Sequence, residues 1–536
     1  MFLPQRAALR ILACLGLTLS AALSHVPVRA ALPETALDSL SARLLDLQAG
    51  RGRTVRILHF GDSHVASGPE PAFLGANLQA VFGDGGPGLF MPWTPPPSIL
   101  RSGVRTGCTS GWRRVIPRGD SAEDDSSLWG CYIECDRPGE TAWAEGEGSV
   151  ARVEYLKQPG GGDLDILWDG RRVGTASLTS AQREVGMYRY VADGQITGVH
   201  RLELRAAGGK VRILGAALEK SSGLSYSPLG MNGARADLLL KCRARTFSAL
   251  MEAEAPDVVF LAFGTNEAGQ KVADLAAYGA MFRRVIGRIR DACPRAAVIV
   301  LGPPDRAGAN AGLDIVIAAQ REACRALGAE FFDQRAAMGG SGAFARWAEA
   351  VPALARPDGV HFTAQGYERL ARFAAEDLVV LYNSTKALPS FQSALKRDGA
   401  AESLMALAGK PARLPDTPPA LRAIAWPTEV MPQARTTEDS HAIYYFRNAQ
   451  GVLVITDEPS YGSSSPDTKA EAPSAKGSGR PSTPAPYSVY YFLEEDGSLI
   501  ITSDPESVKG KAGRFLTPKE VAARPKTGAG AGAPAS

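Results

Sequence analysis

Histidine is scarce in this chain, six in 536 residues, and no second Cys/His cluster stands near Cys131 and Cys135 to complete a zinc site. No HExxH, P-loop or Rossmann glycine fingerprint occurs, so neither a metal nor a nucleotide cofactor is expected. The GxSxG nucleophile elbow is missing too, which excludes an ordinary α/β-hydrolase. Excess charge is also absent: 59 basic residues stand against 56 acidic ones, so no long-range field points to nucleic acid or an anionic membrane surface. The apolar run from Ile11 to Ser24 falls well short of the roughly 20 residues a spanning helix needs, and stable membrane insertion is not expected.

That short run has another meaning. Residues 1–30 combine a basic start at Arg6 and Arg10, an apolar middle and a small-residue exit at Val28, Arg29 and Ala30. These are the three parts of a secretory signal, so the chain is expected to be exported, with the mature form beginning near Ala31. Cys14 goes with the discarded segment. Cys108, Cys131, Cys135, Cys242, Cys293 and Cys324 remain, an even number that an oxidising compartment can pair, although the pairing is not legible.

Val55 to Gly61 is an apolar run ending in glycine, the pattern of a buried strand feeding a loop, and Pro71 to Phe82 supplies a following helix. From Arg101 to Lys220 the texture changes to short alternating runs such as VARVEYL and HRLELRA, separated by Gly and Asp turns, a β-sandwich pattern. Helix is then expected over 234–252 and 272–292, strand at 257–264 and 297–304, helix over 311–327, strand at 329–333 and a last helix over 363–382. The simplest assembly is an α/β doubly wound parallel sheet with a β-rich insertion after its first helix. Ligands of such sheets sit beyond the carboxyl ends of the strands.

Beyond Tyr382 the chain is Pro- and Ala-rich, and IYYFRNAQGVLVITDEPS from Ile443 is then repeated as VYYFLEEDGSLIITSDPE from Val489. Each copy predicts a hairpin turning at Gly451 or Gly497, while 461–486 and 507–536 are too poor in apolar residues to pack.

Four short motifs fall where that architecture puts a site: GDSH at 61–64, MNGA at 231–234, FGTNE at 263–267 and DGVH at 358–361. Each is weak alone, since Asp-Gly pairs usually mark only turns. In this order and placement they resemble the SGNH/GDSL hydrolase superfamily. The resemblance implies a flavodoxin-like sheet, Ser63 as nucleophile, His361 as general base and Asp358 as the orienting carboxylate. It assigns the oxyanion donors to the backbone N–H of Ser63 and Gly233 and the side-chain amide of Asn266, with Gly230 the rival to Gly233. A Cβ at 233 is expected to obstruct substrate approach. Glu267 stands where Asp is common in the family and is expected to act on loop hydrogen bonding. His64 replaces the commoner leucine, either packed beneath the loop or as a rival base with only Asp62 nearby.

The domains then read as a signal at 1–30, a discontinuous hydrolase at 31–100 and 221–385, a sandwich at 101–220, a linker at 386–440 and hairpins at 441–460 and 487–506. GDSH with GTNE, DGVH and a sandwich after the first block resembles exported peptidoglycan O-acetylesterases of the bacterial periplasm. The resemblance implies an O-acetylated cell-wall glycan as substrate, with a carbohydrate-binding-like insert. Trp112, Trp129, Trp143 and Trp168 are either sugar-stacking platforms or sandwich core. An acyltransferase using the same residues, a silent glycan-binding protein, and a lipid ester or thioester hydrolase stay open at this point.

Overall fold

The computed structural model describes residues 35–95, 101–117, 124–193, 198–270, 277–308, 311–398 and 400–416, together with short strands between 435 and 516. The N-terminal signal, the turns at Gly451 and Gly497, and residues 461–486 lie outside the described residues, as does most of 507–536.

Five parallel strands form the central sheet in the order Leu224–Gly230, Val55–Gly61, Val258–Ala262, Ala297–Gly302, Glu330–Asp333. Every residue of the third and fourth of these is buried, the signature of a sheet covered on both faces. Alternation assigns the faces. Ile57, Val258, Phe260 and Ile299 pack with the helices Ala36–Gln48, Pro69–Phe82 and Ala364–Ala387. Leu58, Val259, Leu261 and Val300 pack against Ala244–Glu254, Tyr278–Ala292 and Ala311–Leu327.

The insertion is a pair of antiparallel sheets to each of which it contributes five strands. It is fused to the α/β domain and not merely tethered. Gly88–Phe90, which precedes the insertion, pairs with its strand Val211–Glu219, and the sandwich core runs into the core of the α/β domain without a break. The alternation in VARVEYL predicts outward polar residues, yet Arg152 and Glu154 are 3% and 1% exposed, on a face of strand Val150–Lys157 from which Arg152 reaches Glu254 at the end of the Ala244–Glu254 helix. Arg152 reaches Glu219 at 3.2 Å and Glu254 at 2.6 Å, and Arg56 of the first sheet strand binds Glu219 at 2.7 Å.

Two sequence expectations are corrected, and the state of the cysteines, left open by the sequence, is added to them. Residues 386–440 are not all linker: Pro389–Arg397 and Glu402–Ala408 are helices that bury Phe391, Leu395, Leu404 and Ala408 in the main core. Proline-rich composition concealed them, although Pro389 stands at a first helical position, where proline is favoured. The helix expected over 234–252 is two, Leu238–Lys241 and Ala244–Glu254, parted by extended backbone at Cys242. The six cysteines are all thiols; Cys242 and Cys293 donate instead to the carbonyls of Ser126 and Met251.

The C-terminal repeats form antiparallel pairs, Ala442–Arg447 with Leu453–Thr456 and Tyr490–Glu494 with Leu499–Thr502. Each pair carries a third strand, Arg435–Thr436 on one and Gly513–Leu516 on the other.

Candidate active site

The strand order reverses between Val55–Gly61 and Val258–Ala262, and the crevice that such a reversal opens lies beyond their carboxyl ends. GDSH leaves the first of these strands and FGTNE the second. Ser63 opens the short helix Ser63–Ala66, so its backbone N–H has no acceptor within that helix. Asp62 caps the helix, accepting from the His64 N–H at 3.0 Å, and its carboxyl also accepts the Thr265 hydroxyl. The first and third blocks are thus tied beneath Ser63. Burial raises the Asp62 carboxyl well above the usual carboxylate range.

Ser63 Oγ lies 2.8 Å from His361 Nε2, and both residues are buried. His361 Nδ1 lies 3.1 Å from Asp358 Oδ2. The other oxygen, Asp358 Oδ1, accepts the backbone N–H groups of Val360 and His361, each at 2.8 Å. One carboxylate therefore closes its own turn and orients the ring, which explains the three-residue spacing. Burial opposes the charge on Asp358, yet the hydrogen bonds from His361 and Val360 hold it far below the ordinary carboxylate range. Behind the ring, Phe362 is fully buried among Phe344, Trp347 and Tyr367. Chemically, this series can take a proton from Ser63 and stabilise the resulting imidazolium.

Asn266 stands on the short helix Thr265–Ala268, and its amide donates to the carbonyl of Ala234 at 2.8 Å, which joins FGTNE to MNGA. Gly233 is exposed with φ +71°, and a Cβ built on it meets no atom within 4 Å. Its positive φ is one that glycine adopts readily, and no neighbouring side chain or backbone of the chain closes the space beside it. The close-approach glycine is Gly230, where a Cβ would lie 2.2 Å from the Ala66 nitrogen; it pairs with Gly61 in the ladder and lets the helix Ser63–Ala66 seat on the sheet edge.

Glu267 is buried, accepts the Ala236 N–H at 2.8 Å and is pushed up to about 7 by that burial. A carboxyl raised from 4.5 keeps its proton in the folded state after the unfolded chain has released it. Its contribution to stability is therefore fullest below pH 4.5 and declines as pH rises through about 7. Glu267→Gln is expected to remove this part of the decline, on the order of 3 kcal/mol, read from thermal midpoints of wild type and variant between the two pH limits. Glu70, also raised to about 7 by burial and bonded to Gln334, retains its own share in both proteins.

Burial decides the choice that the sequence left open for the tryptophans. Trp112 and Trp129 are 7% exposed and Trp168 5%, and all three belong to the sandwich core. Trp143 is half-buried, with the Arg201 guanidinium 4.4 Å above its ring and Gly107 directly against it. His64 packs beneath the loop with Nδ1 bonded to the Tyr367 hydroxyl, a partner that sequence reading missed.

The GDSL-like lipase/acylhydrolase family matches residues 192–369, a span that takes in the second to fourth blocks and leaves GDSH outside, beyond the insertion. With the 2-1-3-4-5 sheet, this makes the chain a serine esterase of the SGNH/GDSL hydrolase type. Among such enzymes it resembles the peptidoglycan O-acetylesterases: a solved one aligns at 26% identity and TM-score 0.55, covering 64% of this chain and 96% of that one. Two family two carbohydrate esterases also align. The one from Clostridium thermocellum, in complex with cellohexaose, does so at 15% identity and TM-score 0.25, over 46% of this chain and 94% of its own. The one from Cellvibrio japonicus does so at 13% and 0.24, over 52% and 98%. No curated protein matches.

Proposed function

We propose that this esterase removes O-acetyl groups from a cell-wall polysaccharide, specifically peptidoglycan, in the bacterial periplasm, through an acyl-enzyme on Ser63. The observation that carries the reading is the Ser63–His361–Asp358 series, set in a fold that aligns with nearly the whole of a peptidoglycan O-acetylesterase. The secretory pattern of residues 1–30 supports the compartment.

In the first half-reaction His361 Nε2 takes the Ser63 proton as Oγ bonds to the acetyl carbon. The bond from that carbon to the sugar oxygen then breaks, and His361 returns the proton to the departing sugar hydroxyl. Water repeats the sequence on the acyl-enzyme and releases acetate. The charge that develops on the carbonyl oxygen is met by the N–H groups of Ser63 and Gly233 and the Asn266 amide. Asn266→Ala is expected to lower kcat about a hundred- to a thousandfold with little change in KM, measured on a small aryl acetate.

Acetate release from O-acetylated peptidoglycan, compared with an acetylated plant polysaccharide and the aryl acetate, tests the substrate. Preference for the wall polymer supports the proposal. Cleavage of the aryl acetate without the wall polymer sinks the substrate and keeps the class, and an acetyl group recovered on added oligosaccharide in place of acetate makes the enzyme a transferase.

A further inference from the structure

The segment that carries the nucleophile and the segment that carries the base are joined by more than the catalytic pair. Ser63 Oγ meets His361 Nε2 at 2.8 Å, and the next residue, His64, meets the Tyr367 hydroxyl at 2.9 Å. These bonds bridge residues 298 and 303 positions apart. The His64 ring lies 5.2 Å from the His361 ring, tilted by 45°, and 5.8 Å from Phe362. Tyr367, in the first turns of the helix Ala364–Ala387, is fully buried and packs edge-on against Phe362. Burial, reinforced by the neighbouring His361, holds His64 well below the ordinary imidazole range, so it is neutral. A charged ring at this distance would oppose the charge that His361 acquires during catalysis. With Nδ1 engaged by Tyr367 and Nε2 buried without a partner among the described residues, His64 is not a second base for Ser63.

The two bonds fare differently during turnover. Once Ser63 Oγ is bonded to the acyl carbon it has no proton to share, and its link to His361 is lost. In that interval His361 must still receive a proton from water as the hydroxyl adds to the acyl carbon. It must then return that proton to Oγ as the carbon–Oγ bond breaks and the acid departs. Asp358, the other partner of the imidazole, sits on the same loop and moves with it. We infer that the His64–Tyr367 hydrogen bond is a strut that keeps the base in register with the acylated serine, which makes His64 and Tyr367 positioning residues for deacylation. The inference rests on the acyl-enzyme reading proposed above.

Tyr367→Phe removes one oxygen and keeps the ring, so the packing around Phe362 is retained. Deacylation is expected to slow by about ten- to a hundredfold, the penalty of a small misplacement of the base, and acylation far less. The variant then accumulates enzyme heavier by one acetyl group during turnover of an aryl acetate. That adduct is visible by intact-protein mass spectrometry and absent in Ser63→Ala. His64→Asn, which keeps a polar atom near the Nδ1 position, is expected to retain more turnover than His64→Leu. A Tyr367→Phe enzyme with wild-type kcat and no adduct overturns the strut; so does one in which acylation and deacylation fall in step, since that is general loosening. Fluorophosphonate labelling of the wild type separates the two levels: without Ser63 labelling the acyl-enzyme reading fails and takes the strut with it. With labelling but no adduct in Tyr367→Phe, the strut alone fails.

Discussion

Ser63→Ala is expected to lower kcat on an aryl acetate by roughly a millionfold, the scale on which loss of a triad nucleophile acts in serine hydrolases. The fold has little reason to respond. The helix Ser63–Ala66 is capped by Asp62 and held by Gly230, and neither contact uses the serine hydroxyl. Circular dichroism and the thermal midpoint are therefore expected to stay at wild-type values while acetate release falls to background. Release that persists in the variant would remove Ser63 from the chemistry, whatever its distance from His361.

The second large effect is a change of tautomer. In Asp358→Asn the turn still needs an acceptor for the N–H groups of Val360 and His361, so the amide oxygen is drawn to the place Oδ1 holds now. The amide nitrogen is left facing His361 Nδ1, which must then accept a hydrogen bond in place of donating one. The ring proton moves to Nε2, directly opposite Ser63 Oγ, and the imidazole has no lone pair there to act as a base. A loss of about ten-thousandfold in kcat is expected, with KM nearly unchanged. Asp358→Ala gives a useful contrast, because it opens the turn as well and so is expected to lower the thermal midpoint. Equal turnover in wild type and Asp358→Asn would exclude the orienting role.

The triad and the parallel sheet were legible because their signals are local. Apolar runs ending in glycine mark buried strands, and a carboxylate three residues before a histidine can serve its own turn. What escaped was decided by distant packing. The edge strand Leu224–Gly230 reads poorly as a strand because it carries Ser225, Ser227 and Pro228; it is an edge strand, where proline is tolerated. His64 gave no hint of its partner, since Tyr367 lies on a helix far along the chain. The burial of Arg152 and Glu154 was equally hidden, because nothing in VARVEYL announces Glu254, the distant carboxylate that Arg152 binds. The tryptophans were equally ambiguous, as large aromatic side chains serve cores and sugar platforms with the same residue type.

The arginine–glutamate cluster shared by the sandwich and the sheet links the two parts of the molecule energetically. A buried guanidinium that loses one carboxylate partner leaves an uncompensated charge, so Arg152 makes separation of the two parts costly. Catalytic body and insertion are consequently expected to melt together as one cooperative block, in a single thermal transition.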